Sequence, residues 1–158
     1  MKTDFERVYK DYWDRIFRLC MGYVNDYSLA QDMAQETFIN VWNSFDRFRQ
    51  ESNVGTWIYR IATNICLRQL EKQKRVKQTI LPVNIPEDIQ INIEPSIQLL
   101  YSFIAELPEI DRLIISLELE DINQKEIAQI VGLSESNIRV KIHRIKLQFI
   151  KKFKEYEN

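Results

Sequence analysis

Apolar side chains return every three or four residues along most of this chain. From about Asp4 to Val24 they stand at Phe5, Val8, Tyr12, Ile16, Leu19 and Tyr23, one face of a helix. A second such run follows the break at Asn25, Asp26 and Tyr27, with Ala30, Met33, Ala34, Thr37 or Phe38, Val41, Trp42 and Phe45 on its apolar side. Ser28 and Gln31 have the spacing of a capping box, which predicts the start of this helix at Ser28. A third runs from about Val54 to Arg75, with Trp57, Ile58, Ile61, Ala62, Ile65 and Leu70 inward. Three helices of this kind can bury one core. With only 3 Gly and 4 Pro in 158 residues, the chain lacks the turn formers that a sandwich or barrel needs.

The pattern fails between Lys77 and Pro95, which hold three of the four prolines. We read this stretch as a linker with the stiffness and reach that proline gives. The expected organisation is all-α: two small helical domains, residues 1–76 and 96–158, joined by a flexible linker over 77–95. In the second domain a helix is predicted from Ser96 to about Glu106. Another follows to about Leu119, with Pro108 in its first turn. The segment from Asn123 to Glu126 opens a short helix that ends at Gly132, and Ser134 caps a last helix from Glu135 to about Phe153.

Charge is distributed unevenly although the net charge is only −1. Arg60, Arg68, Lys72, Lys74, Arg75 and Lys77 stand against Glu71. Arg139, Lys141, Arg144, Lys146, Lys151, Lys152 and Lys154 stand against Glu135. Glu87, Asp88 and Glu94 lie between the two basic segments. This pattern predicts two polyanion contacts joined by an acidic bridge. The linker acids, or the two basic surfaces themselves, are expected to cover one another in the free chain.

The segment QKEIAQIVGLSESNIRVKIHRIK, Gln124 to Lys146, reads as a helix-turn-helix. Ala128 lets two helices cross closely, Gly132 supplies the turn and Leu133 plugs the gap. The second helix turns Ile138, Ile142 and Ile145 inward and leaves Ser136, Asn137, Arg139, Val140, His143 and Arg144 outside. Such a helix enters a DNA major groove, where Arg can hold a guanine edge with two hydrogen bonds. The plain alternative is a helical hairpin with a solvated basic face.

Other chemistry is thinly supported. His143 is the only histidine, so neither a metal site nor a catalytic site is expected, and no cofactor is implied. Cys20 and Cys66 sit inside apolar helical patterns and read as buried thiols of a reducing cytoplasm. No apolar run approaches the ~20 residues that cross a bilayer, so no membrane insertion is expected.

At this point the residues resemble a known family. The stretches DYSLAQDMAQETFINVWNSFDRF and TWIYRIATNICLRQL are similar to domain 2 of extracytoplasmic-function sigma factors, and LPEIDRLIISLELEDINQKEIAQIVGLSESNIRVKIHRIKLQFIKKF to domain 4. The resemblance implies a non-enzymatic factor that binds core RNA polymerase and directs it to promoters, often under an anti-sigma factor and in response to an envelope or environmental signal. It implies that Asp32, Gln35, Glu36, Phe38 and Trp42 dock on the clamp helices of the largest polymerase subunit, with the second-largest subunit offering its flap. It implies that Arg47, Phe48, Arg49, Ser52, Asn53, Arg60 and Asn64 open the minus-ten element, Trp57 belonging to the core. It implies, too, that the helix-turn-helix reads the minus-thirty-five element. The chain departs from the family at Ile145, where a small Ala is common, and at the outward Val140 and His143, where Arg is more frequent. Competing readings are a repressor or activator that binds DNA alone, and a helical-bundle enzyme, for which the sequence offers no clustered acid, base or metal ligands.

Overall fold

The computed structural model describes residues 2–48, 53–77 and 94–157, and among these every regular element is a helix. The elements are α1 (Lys2–Val24), α2 (Tyr27–Ser44), a 3-10 turn (Phe45–Arg47), α3 (Val54–Lys77), α4 (Pro95–Ala105), α5 (Glu109–Leu119), α6 (Gln124–Val131) and α7 (Glu135–Glu157). Of the expected linker, Lys77 closes α3 and Pro95 opens α4, and residues 78–93 lie outside the described residues.

Local chemistry sets most boundaries. Asn25 ends α1 by turning left-handed, with φ 47°. The next residue, Asp26, is extended, and its carboxylate accepts from the Leu29 N–H at 3.0 Å. Asp26 therefore caps α2, not Ser28: α2 begins at Tyr27, and Ser28 already lies inside it. Pro95 takes the first position of α4, where its missing N–H costs nothing. Pro108 is one position further out than expected, preceding α5 as its cap. Asn123 caps α6 by accepting from the Glu126 N–H at 2.9 Å. Gly132 closes α6 with φ 77°, and its N–H donates to the Ala128 carbonyl at 2.9 Å. Ser134 caps α7, its Oγ accepting from the Asn137 N–H at 3.2 Å.

The main core is continuous across both halves of the chain. It joins Ile16, Leu19, Cys20, Met33, Phe38, Ile58 and Ile65 of the first three helices to Leu113, Leu117, Ile127 and Ile138 of the last three. Each aliphatic side chain so buried contributes roughly 1.5–3 kcal/mol. A smaller cluster of Phe103, Ile104, Leu107, Ile115, Ile145 and Phe149 ties α4 and α5 to α7. Helix α1 is the hub, touching α2 and α3 on one side and α4 and α5 on the other. The two halves thus close on each other, but not by their basic surfaces: Arg60 and Asn64 on α3 and the outward residues of α7 remain exposed. The linker acids Glu87 and Asp88 lie outside the described residues.

Candidate functional site

Phe5, Tyr9 and Trp13 stand one turn apart on α1 and face α2. They line a groove of ≈ 590 Å³ with Glu6, Gln35, Phe38, Ile39 and Trp42. Phe38 is buried and forms the floor, 5.0 Å from the Tyr9 ring and 5.7 Å from Trp13. Trp42 is 48% exposed, so its place is the rim and not the apolar interior that its spacing suggested. Ile39 beside it is 59% exposed. An apolar cleft with exposed aromatic and aliphatic rims suits a helical partner. Of the expected docking residues, Gln35, Phe38 and Trp42 come together here. Asp32 is exposed and does not line the groove, while Glu36 turns towards α3, 3.7 Å from Arg68. Sequence reasoning missed Phe5, Tyr9, Trp13 and Ile39. The signal was an aromatic residue at every fourth position of α1, Phe5, Tyr9 and Trp13.

The second surface spans the 3-10 turn and α3. Arg47 is exposed, and Phe48 stacks on Trp57 with centroids 4.7 Å apart and planes at 27°. Trp57 is only partly buried, so it supports Phe48 as well as the core it was assigned to. The Asn53 amide oxygen accepts from the Gly55 N–H at 2.8 Å and starts α3. Arg60 and Asn64 lie exposed one turn apart along that helix. Arg49 and Ser52 lie outside the described residues.

The third surface is α7. Ile138, Ile142, Ile145 and Phe149 are buried, and Ser136, Asn137, Arg139, Val140, His143 and Arg144 are all exposed. Ile145 fits the small cluster at 2% exposure without displacing the helix from it. Not every cation of α7 points outward. Lys141 reaches Asp111 at 3.2 Å, Lys146 reaches Glu118 at 3.1 Å, and Lys152 pairs with Glu106. These lysines fasten α7 to the helices behind it, whereas Arg139 and Arg144 are exposed.

The two cysteines are fully buried, and the hydrogen bond that the Cys66 thiol gives Cys20, together with burial, pushes the Cys66 thiol well up. A thiol so placed is protonated and unreactive. Among the described residues no group of His, Cys, Asp and Glu could hold a metal ion, and no helix is long and apolar enough to cross a membrane.

Residues 8–76 match the Sigma-70 region 2 family and residues 97–149 match Sigma-70 region 4. Over 159 residues the chain is 28% identical to the ECF RNA polymerase sigma factor SigW of Bacillus subtilis, covering 90% of this chain and 83% of that one. Its fold is that of the sigma factor RpoE in complex with the anti-sigma factor NepR from Bartonella quintana, with a TM-score of 0.79 and 20% identity over 96% and 97% of the two chains. It is also that of CnrH in complex with the cytosolic domain of CnrY, with a TM-score of 0.70 and 16% identity over 98% and 90%.

Paired helical modules with a groove on the first and a helix-turn-helix in the second define a promoter-directing factor. The chain belongs to the sigma-70 family, in its extracytoplasmic-function group. It directs core RNA polymerase to promoters and is not itself an enzyme.

Proposed function

We propose that the groove between α1 and α2 is where the factor docks on the clamp helices of the largest polymerase subunit. The observation that carries this is the half-exposed Trp42 beside Ile39, above a floor of buried Phe38. A contiguous apolar patch left open and rimmed by polar groups marks an interaction site. Asp32, Gln35 and Glu36 extend the surface with groups suited to a basic partner. The flap of the second-largest subunit then meets the second module.

Residues 1–76 act as domain 2, 77–95 as linker and 96–158 as domain 4. Arg47, Phe48, Arg49, Ser52, Asn53, Arg60 and Asn64 engage the minus-ten element. The Phe48–Trp57 stack offers an aromatic plane to an unpaired base, and Arg60 and Asn64 continue the track along α3. Ser136, Asn137, Arg139, Val140, His143 and Arg144 read the minus-thirty-five element as duplex. The Bartonella relative is held by an anti-sigma factor, and this chain is read as subject to a similar partner under an envelope or environmental signal. Its place of work is the cytoplasm, where the polymerase is.

The test is run-off transcription with purified core polymerase and genomic promoters, comparing the native chain with Trp42→Ala. Initiation by the first and a large loss in the second is expected. Tight, specific promoter binding by the chain without polymerase would overturn this reading in favour of a repressor.

A further inference from the structure

A chamber of ≈ 250 Å³ lies among α1, α4 and α5, and it shares no lining residue with the groove between α1 and α2. Its walls are apolar, with Ile97, Leu100 and Ile104 from α4 and Leu119 from the end of α5. Ile97 and Leu119 are exposed and mark the mouth, whereas Ile104 is fully buried.

The polar part of the lining is Arg18, Ser116 and Glu120, with the Tyr101 hydroxyl and ring beside them. Glu120 is only 7% exposed. Its carboxylate accepts from Arg18 Nε at 2.7 Å and from Arg18 Nη2 at 2.9 Å. Arg15 Nε is 3.5 Å from the same group, and Arg15 also donates to the Glu120 main-chain oxygen at 2.8 Å. A carboxylate offers about four acceptor positions, of which Arg18 takes two. Ser116 is buried, and its Oγ has no hydrogen-bond partner. That hydroxyl stands against bare backbone, because a Cβ at Gly22 would lie 2.2 Å from it. A buried hydroxyl left unpaired is costly, and a molecule that bonds it recovers the cost.

These groups define what fits. A cation would meet Arg15 and Arg18, and an anion would meet Glu120, so the occupant is neutral. The spare acceptor positions of Glu120 call for an N–H or O–H donor. The apolar walls exclude a sugar or polyol, whose other hydroxyls would go unpaired. An apolar cavity of about 150 Å³ takes benzene, so this one takes roughly ten non-hydrogen atoms. The Arg18 guanidinium and the Tyr101 ring offer flat faces to an aromatic plane. We propose that the chamber binds a small neutral aromatic molecule of bicyclic size, held by a single donor on Glu120. Nothing in this depends on polymerase or DNA.

The experiment uses the full chain, labelled with nitrogen-15, and indole as the probe. Titration should move amide signals of α4, α5 and the Arg18 turn of α1, and saturate with Kd below about 1 mM. At ten times Kd the melting temperature should rise by roughly 3–6 °C. Benzofuran has the same shape without the donor, and should bind about 10-fold more weakly. Leu119→Trp and Ile97→Trp each fill the mouth from an exposed position, and should abolish the shifts while circular dichroism stays helical. Absence of saturable binding to the native chain overturns the site, leaving the chamber to water alone. Undiminished binding by both variants, or shifts centred on Trp13 and Trp42, overturns it by placing indole elsewhere. Equal affinity for benzofuran overturns the role given to Glu120. If one variant fails to fold, the other and the shift map of the native chain still decide the outcome.

Discussion

Phe5 and Trp42 meet edge to face across the groove, with centroids 4.9 Å apart and planes at 75°. Neither ring is sealed in the core, and together they keep the two walls of the groove at a fixed width. Trp42→Ala should weaken binding to core polymerase by ~2–4 kcal/mol, as truncating a central aromatic anchor does. Loss of the ring pair itself should lower fold stability by no more than about 1.5 kcal/mol. Titration of labelled core polymerase, set beside a thermal melt, separates the two effects. A large fall in melting temperature with unchanged affinity would place Trp42 in the core after all.

Arg139 and Arg144 are exposed on α7. Replacing either by Ala should cost ~1–3 kcal/mol on the best promoters and relax preference at one position of the upstream element. Lys151 and Lys154 are also exposed. Their replacement should weaken every promoter alike and flatten the salt dependence. Holoenzyme binding to a randomised upstream element reads both outcomes, and equal losses on all sequences for both arginine variants would rule out direct readout.

Alkali should loosen the molecule through two phenols. Burial pushes the Tyr23 hydroxyl up to about 12, and burial raises Tyr59 as well. Phenols of the unfolded chain titrate near about 10, so above that pH the unfolded state releases protons that the native fold retains. Stability is therefore full below about pH 10 and falls as the pH climbs towards the Tyr23 value of about 12. Urea midpoints measured from neutrality to about pH 11 should show this slope. Tyr23→Phe with Tyr59→Phe should flatten it. Because neither hydroxyl has a partner, the pair should be neutral or stabilising at pH 7. An unaltered alkaline slope in that variant would assign the loss to other groups.

Gly132→Ala should cost ~1–2 kcal/mol, the ordinary penalty for a left-handed residue with a Cβ. An added Cβ at Gly132 meets nothing within 4 Å, so the whole effect is backbone strain. Gly132→Asn should recover part of the loss in a denaturant melt. Equal destabilisation by both would point to a steric cause instead.

What was legible in the sequence was what is local. Apolar spacing placed the helices, because each buries one stripe against its neighbours. Asn123, Gly132 and Ser134 announced the helix-turn-helix, because each does its capping within four residues of its own position. The start of α2 was harder. Asp26 and Ser28 are both good caps, and the choice fell to Asp26 once Asn25 turned left-handed and left it extended. Trp42 was misjudged because apolar residues occupy two sides of α2, one facing the core and one the groove. The Arg18–Glu120 pair could not be read at all. Its partners are 102 positions apart, and nothing in either neighbourhood names the other. Gly22 did carry a hint, as a lone glycine within an otherwise regular helical stripe.

The order in which the chain is made gives α1 a history of its own. Its aromatic groove needs only α1 and α2, whereas Arg112, Ser116 and Glu120 arrive with α5 and the turn beyond it. Ribosomes add about 5–20 residues per second, so for a few seconds a growing chain has its groove in hand and nothing for Arg15 and Arg18 to grip. Each newborn molecule in that sense holds its groove before α1 has any grip on α5, and α6 and α7 follow later still.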